Sequence, residues 1–218
     1  MKSLLIFIAS LSIAFNTYAA EKLSGPEDMP ETFKSGDSSK GSSLVASCAA
    51  CHGSDGNSMN TDWPKLAGQN EKYLYDQLKH FKYEERNNAL MMAVTPYLKS
   101  LSDNDLLDIA AFYASQNNAI GQVASDKVEL GRKLYYSGSL EKGVPACTAC
   151  HSPKGKGNSP AGYPLLSGQQ SDYIAKALKN YRTGERNNDE SSQMMMAIAY
   201  KLDDVEIDAL SSFINGLH

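Results

Sequence analysis

The chain has 218 residues, four cysteines and a formal net charge of −4, and 42% of its residues are hydrophobic. This length predicts one or two globular domains. A mildly acidic chain lacks the basic face that nucleic acids require, which excludes nucleic acid as the main partner.

The first twenty residues have the pattern of a secretory signal peptide. A basic n-region precedes an apolar run over residues 4–15, and small residues follow, ending in Ala19 and Ala20. The run is shorter than the ~20 apolar residues of a spanning helix, which argues against an uncleaved anchor. We predict a signal peptide over residues 1–20, cleaved after Ala19 or Ala20. Residues 21–38, rich in Ser, Gly, Pro and acidic residues, predict a flexible acidic leader.

Two Cys-x-x-Cys-His motifs use all the cysteines of the chain. The first comprises Cys48, Cys51 and His52, and the second comprises Cys147, Cys150 and His151. This motif is the attachment signature of c-type haem, in which the two thiols add to the haem and the histidine binds the iron. The sequence therefore predicts two covalently bound haem c groups. Because this haem is attached outside the bacterial inner membrane, we expect a periplasmic protein.

The chain contains an internal repeat at an offset of about 100 residues. Residues 63–69 (Trp-Pro-Lys-Leu-Ala-Gly-Gln) match residues 163–169 (Tyr-Pro-Leu-Leu-Ser-Gly-Gln), and Glu-Arg-Asn-Asn occurs at 85–88 and again at 185–188. Each copy holds one haem motif, so the chain is a duplicated module. We predict an N-terminal domain over 39–118, a linker over 119–126 and a C-terminal domain over 127–218.

Each copy has the hydrophobic spacing of helices and almost no strand signal. Apolar residues recur at helical spacing over 73–81 and 173–181. The last helix of each copy begins with a capping-box pattern, Ser102 with Asp105 and Asp203 with Glu206. The sequence predicts an all-α fold.

Candidates for the sixth iron ligand lie at equivalent points of the two copies, where five of the eight methionines occur. We predict Met91 and Met195, because apolar residues follow each of them at the third and seventh positions and continue a helical stripe. Met92 is the main alternative in the first copy, and Met196 has a less apolar stripe. His80 competes less well, since it sits within the preceding helix pattern.

With these motifs and methionines, the chain resembles the cytochrome c4 family over residues 41–218. The resemblance implies two tandem class I cytochrome c domains related by pseudo-twofold symmetry, each with His–Met iron. It also implies that the carbonyl of Pro64 or Pro164 accepts a hydrogen bond from the iron-binding histidine.

The resemblance further implies that the haem propionates meet between the domains. Arg86 and Arg186 are candidates to neutralise these propionates, and the alternative is that they pair with Glu85 and Glu185 at the surface.

The predicted function is electron shuttling by closed, low-spin irons. The resemblance implies a quinol-oxidising cytochrome bc complex as donor and a terminal oxidase as acceptor, and peripheral membrane association stays open. The rivals are a dihaem peroxidase or thiosulfate-oxidising enzyme, which needs an open or unusually ligated iron, and a redox-sensing or haem-delivery protein. A zinc site would require the cysteines of the two modules to lie together, and a thioredoxin-like dithiol site would require a βαβ pattern. The sequence indicates neither.

Overall fold

The computed structural model describes residues 33–218. The predicted signal peptide and most of the predicted leader lie outside the described residues. The end of that leader packs on the following domain. Ser35 Oγ donates a 2.7 Å hydrogen bond to Glu71, and the ring centroids of Phe33 and Tyr75 are 6.1 Å apart. The packed part of the chain therefore begins before the predicted boundary at residue 38.

The described part is helical, as predicted. Its α-helices are α1 (Ser38–Leu44), α2 (Ala46–His52), α3 (Glu71–Lys82), α4 (Thr95–Ser100), α5 (Asp103–Ala114), α6 (Val128–Ser137), α7 (Thr148–His151), α8 (Ser171–Thr183), α9 (Glu190–Ala199) and α10 (Asp204–Asn215). Short 3₁₀ turns cover Met91–Ala93 and Ser125–Lys127. Within residues 33–218, extended pairing is limited to the isolated bridges Ser139–Val144 and Asn158–Tyr163. Over the same range, no helix has the length and apolarity to cross a bilayer.

The first and last helices of each copy cross at a glycine. In the N-terminal copy, Gly41 of α1 lies against the backbone of Asp108 and the side chain of Phe112 in α5. In the C-terminal copy, Gly131 of α6 lies against Ala209 and the side chain of Phe213 in α10. A Cβ atom at either glycine would collide with the facing helix, so only glycine permits this approach.

Both predicted capping boxes are present. Ser102 accepts from the backbone N–H of Asp105, whose carboxylate accepts from the Ser102 N–H. Asp203 and Glu206 make the same reciprocal pair at the start of α10. These caps satisfy backbone donors that the first helical turn leaves free. They fix where α5 and α10 begin, and both helices supply much of the buried core.

The copies differ in the segment that carries the methionines. In the second copy, α9 is continuous and is capped by Asp189, whose carboxylate accepts from the Ser192 N–H at 2.5 Å. In the first copy, a 3₁₀ turn is followed by the separate short helix α4, with Pro96 in its first turn. Pro96 has no backbone N–H to donate to the carbonyl four residues earlier, which interrupts the helical hydrogen bonding between the turn and α4.

Candidate haem sites

Each Cys-x-x-Cys-His motif lies on a short helix that brings its side chains to one face. In the first copy, α2 carries Cys48, Cys51 and His52, and residues three and four apart on a helix are neighbours. Neither cysteine is in a disulfide, and Cys48 is partly buried while Cys51 is exposed. Burial raises the pKa of the Cys48 thiol to about 11. A free pair of thiols beside a histidine is the arrangement that haem attachment requires.

The second motif repeats this arrangement. Cys147 precedes α7, which carries Cys150 and His151. Neither cysteine is in a disulfide, both are partly buried, and burial raises the pKa of the Cys147 thiol to about 11. The four thiols therefore stay as two separate pairs, one in each copy.

The two histidines are buried and oriented by a proline carbonyl. His52 and His151 are each 8% exposed. His52 Nδ1 lies 2.8 Å from the Pro64 carbonyl oxygen, and His151 Nδ1 lies 3.1 Å from that of Pro164. Each Nδ1–H donates to its carbonyl, so the lone pair of each neutral ring is on Nε2. Burial lowers the pKa of both rings and favours this neutral form. The proline contacts implied by the resemblance are present in both copies.

The structure separates the two candidate methionines of the first copy. Met91 packs against a buried cluster that includes Phe81, Leu98 and Leu106. Met92 points outward and is 53% exposed. A ligand to an iron in the domain interior must face inward, which favours Met91.

In the second copy, Met195 and Met196 are both partly buried, and Met194 is 47% exposed. Its exposure disfavours Met194 as a ligand, whereas Met195 and Met196 both stay candidates. The assignment of Met195 stays a prediction from the stripe of apolar residues that follows it.

The competing histidine is occupied on both nitrogens. His80 Nδ1 lies 2.7 Å from Glu85, and its Nε2 lies 3.1 Å from Asp189 of the C-terminal copy. The hydrogen bond that His80 donates to the Asp189 carboxylate raises the pKa of His80; burial opposes this shift and Glu85 adds to it. An iron bond to His80 would require one of these contacts to break.

Arg86 and Arg186 lie between the two copies. Arg86 donates to Gln77 Oε1 at 2.7 Å, and Arg186 donates to the same oxygen at 3.0 Å. Arg186 also donates to the Tyr73 hydroxyl at 2.8 Å, and Arg86 reaches the Tyr173 hydroxyl at 3.4 Å. Each guanidinium therefore contacts the opposite copy.

The alternative pairing with Glu85 and Glu185 at the surface is wrong. Glu85 binds His80 instead, and among residues 33–218 neither guanidinium lies within ion-pair distance of a carboxylate. Arg186 is only 6% exposed, and its Nε has no hydrogen-bond partner in this part of the chain.

Buried Arg186 and half-buried Arg86, neither paired with a carboxylate among residues 33–218, make the interface positive. Burial alone would raise the pKa of Tyr173, yet the nearby guanidinium groups of Arg86 and Arg186 lower it to about 8. An unpaired buried charge costs several kcal/mol. An anionic group would remove this cost, and the carboxylates of haem propionates suit the free Nε of Arg186. The residues present therefore fit two haem groups whose propionates lie at the interface.

Sequence reasoning missed the role of two glutamines in this region. Gln69 and Gln169 end the repeated Leu-x-Gly-Gln segments, and each binds the backbone of the opposite copy. Glutamine occurs at both positions, 100 residues apart in the repeat, and this match could have indicated a shared role.

The alternative of a zinc site was also compared with the described part of the chain. Over residues 33–218, no three side chains of His, Cys, Asp or Glu converge as metal ligands.

Comparison with known proteins identifies the family. The family model Cytochrome c matches residues 38–117 and 128–218, one match for each copy. Cytochrome c4 of Azotobacter vinelandii is 46% identical over 189 residues, covering 84% of this chain and 90% of that protein. The chain belongs to the cytochrome c4 family. Its fold is therefore that of two tandem cytochrome c domains, and it carries two covalently bound haem c groups.

A solved member of the cytochrome c4 family has the same architecture. The crystal structure of reduced recombinant cytochrome c4 from Pseudomonas stutzeri has a TM-score of 0.80 and 44% identity, covering 84% of this chain and 100% of that one. A further relative, from Thiomonas intermedia, is named thiosulfate dehydrogenase electron acceptor. It is 33% identical over 178 residues and covers 78% of each protein.

Proposed function

We propose that this cytochrome c4 family member is a periplasmic one-electron carrier in which both irons are closed by a histidine and a methionine. The bound haem supplies the one-electron couple. The observation that carries the proposal is the pair of buried, neutral histidines, each fixed by a proline carbonyl and each accompanied by methionines at the equivalent point of its copy.

The residues of the first site have separate roles. Cys48 and Cys51 hold the haem through thioether bonds. The Pro64 carbonyl fixes the His52 ring and its tautomer, which leaves Nε2 for the iron. Met91 would supply the second protein ligand and would keep small molecules away from the iron.

The second site assigns the same roles to the corresponding residues. Cys147 and Cys150 would hold the haem, His151 would bind the iron, and Met195 would close it. Pro164 fixes the histidine ring. The proposal includes the exchange of an electron between the two haems.

The proposed partners are a quinol-oxidising cytochrome bc complex as donor and a terminal oxidase as acceptor. Redox encounters of this kind are small and transient. The relative named thiosulfate dehydrogenase electron acceptor supports a carrier rather than an enzyme, and it adds a thiosulfate-oxidising enzyme as a second donor to test. Reduction of the purified protein by each donor in stopped-flow mixing distinguishes the two.

Visible spectroscopy with ligand variants tests the closed irons. The holoprotein is examined oxidised, reduced, and reduced with carbon monoxide, and two low-spin haems that do not bind carbon monoxide are expected. Met91→Ala should open the first iron to carbon monoxide, whereas the matched control Met92→Ala should not. The pair Met195→Ala and Met196→Ala makes the same comparison in the second copy.

Carbon monoxide binding by the unmodified protein would contradict the carrier proposal and favour an enzyme with an open iron. Carbon monoxide binding after Met92→Ala, or after Met196→Ala, with none after the partner variant would reassign that ligand and leave the carrier proposal in place.

A further inference from the structure

One peptide group links the first iron-binding histidine to the opposite domain. Pro64 and Lys65 share this group. Its carbonyl oxygen accepts from His52 Nδ1 at 2.8 Å, and its N–H donates to Gln169 Oε1 at 2.8 Å. The Gln169 Nε2 donates back to the Lys65 carbonyl oxygen at 2.9 Å. Gln169 is 4% exposed, so water does not compete for these bonds.

The second iron-binding histidine has the corresponding arrangement, with the two domains exchanged. The peptide group between Pro164 and Leu165 accepts from His151 Nδ1 at 3.1 Å and donates to Gln69 Oε1 at 2.7 Å. Gln69 Nε2 donates to the Leu165 carbonyl oxygen at 2.9 Å, and Gln69 is 5% exposed. Each domain therefore supplies a glutamine to the histidine-binding peptide of the other.

Hydrogen bonds that share a peptide group strengthen one another. When the N–H donates to an acceptor, the peptide is polarised and its carbonyl oxygen becomes a better acceptor. The better acceptor draws more strongly on the histidine Nδ1–H, which makes the ring more basic at Nε2. A more strongly donating ligand stabilises ferric iron, so the haem potential falls.

We infer that Gln69 and Gln169 are positioning residues that lower the reduction potential of the haem in the opposite domain. Gln169 acts on the site of His52, and Gln69 acts on the site of His151. The inference rests on the proposed histidine ligation. It adds a crossed dependence, in which each haem is tuned by a side chain of the neighbouring domain.

A purely structural role makes a different prediction. If the glutamines only join the domains, their loss loosens the interface and affects both haems without regard to which glutamine is missing. A neighbouring side chain provides the control. Gln170 Nε2 donates a 2.8 Å hydrogen bond to the Ser58 carbonyl oxygen, which also joins the domains but does not involve a histidine-binding peptide.

The test measures the potentials of both haems in the holoprotein by spectroelectrochemistry, with each haem assigned by NMR. Gln169→Met should raise the potential of the haem at His52 and leave that of the haem at His151 in place. Gln69→Met should do the reverse, and Gln170→Met should produce neither selective shift. As a second readout, the His52 Nδ1–H proton should exchange with solvent faster in Gln169→Met than in the unmodified protein.

Where the methionine variant fails to fold, Gln169→Asn keeps a polar side chain but is too short to reach the peptide. It should produce the same selective rise. A shift of equal size at both haems, a shift only at the haem of the mutated domain, or a matching effect of Gln170→Met would overturn the inference.

These failures differ from a failure of the proposed function. Loss of the crossed dependence leaves the low-spin spectrum of the unmodified protein intact, whereas an error in the ligation appears in that spectrum itself.

Discussion

Truncation of Ile207 is expected to destabilise the C-terminal domain strongly. Ile207 is 0% exposed and belongs to the buried cluster that also contains Leu202 and Leu210. Ile207→Ala removes three carbon atoms, which accounts for about 2.4 kcal/mol of lost burial at ~0.8 kcal/mol each. The cavity left behind adds on the order of 1 kcal/mol, and the better helix propensity of alanine returns roughly 0.4 kcal/mol. The free energy of unfolding should therefore fall by about 3 kcal/mol.

Val205, on the same helix, is the matched control. It is 70% exposed, so Val205→Ala loses only about 0.5 kcal/mol of burial, and improved helix propensity offsets most of that. Urea denaturation of both holoprotein variants, followed by far-UV circular dichroism, measures the difference. The midpoint for Ile207→Ala should fall by more than ~1 M urea. A loss below about 1 kcal/mol, or an equal loss for Val205→Ala, would refute this account of the core.

Three further outcomes are expected. The ion pair of His80 with Asp189 is complete below the ordinary pKa of histidine; as the pH rises through the raised pKa of His80, its stabilisation, on the order of 1 kcal/mol, is lost. The same stabilisation is lost as the pH falls through the lowered pKa of Asp189. His80→Gln should abolish the fall in melting temperature that accompanies the titration of His80 at higher pH, as measured in a plot of melting temperature against pH. Asp203→Ala removes the cap of α10 and should lower the free energy of unfolding by about 1 kcal/mol in urea titrations; no change would contradict the cap. Gly56→Ala should cost about 2 kcal/mol in the same assay, because φ is +79° and the added Cβ would lie 2.8 Å from the Tyr113 ring; a neutral result would show that the turn can relax.

Features set by local sequence could be predicted. The capping boxes of α5 and α10 depend on residues three apart, and the structure has both. The helical stripes over 73–81 and 173–181 lie within α3 and α8. Such features follow from hydrogen bonds and side-chain spacing within a single helix.

Features that depend on how the copies dock could not be predicted in the same way. Arg86 and Arg186 follow glutamates in the sequence, and a surface pair is the simpler local interpretation. Their shared contact with Gln77 arises only when docking of the two copies brings Arg186 to α3. The difference between Met195 and Met196 likewise depends on the rotation of α9 about its axis, and apolar spacing alone determines that rotation poorly.

The interface carries two kinds of contact that differ in symmetry. The reciprocal glutamines Gln69 and Gln169 are what two identical subunits would form across a twofold axis. Gln77 departs from this twofold symmetry. It binds both arginines, whereas the equivalent position on α8 is Ala177, whose side chain cannot accept a hydrogen bond. A homodimer of a single-domain cytochrome could not place glutamine on one side only. Because both copies are fused in one chain, a residue can be substituted in one copy and not in the other. The two haems can therefore differ in reduction potential, although the two copies share one design.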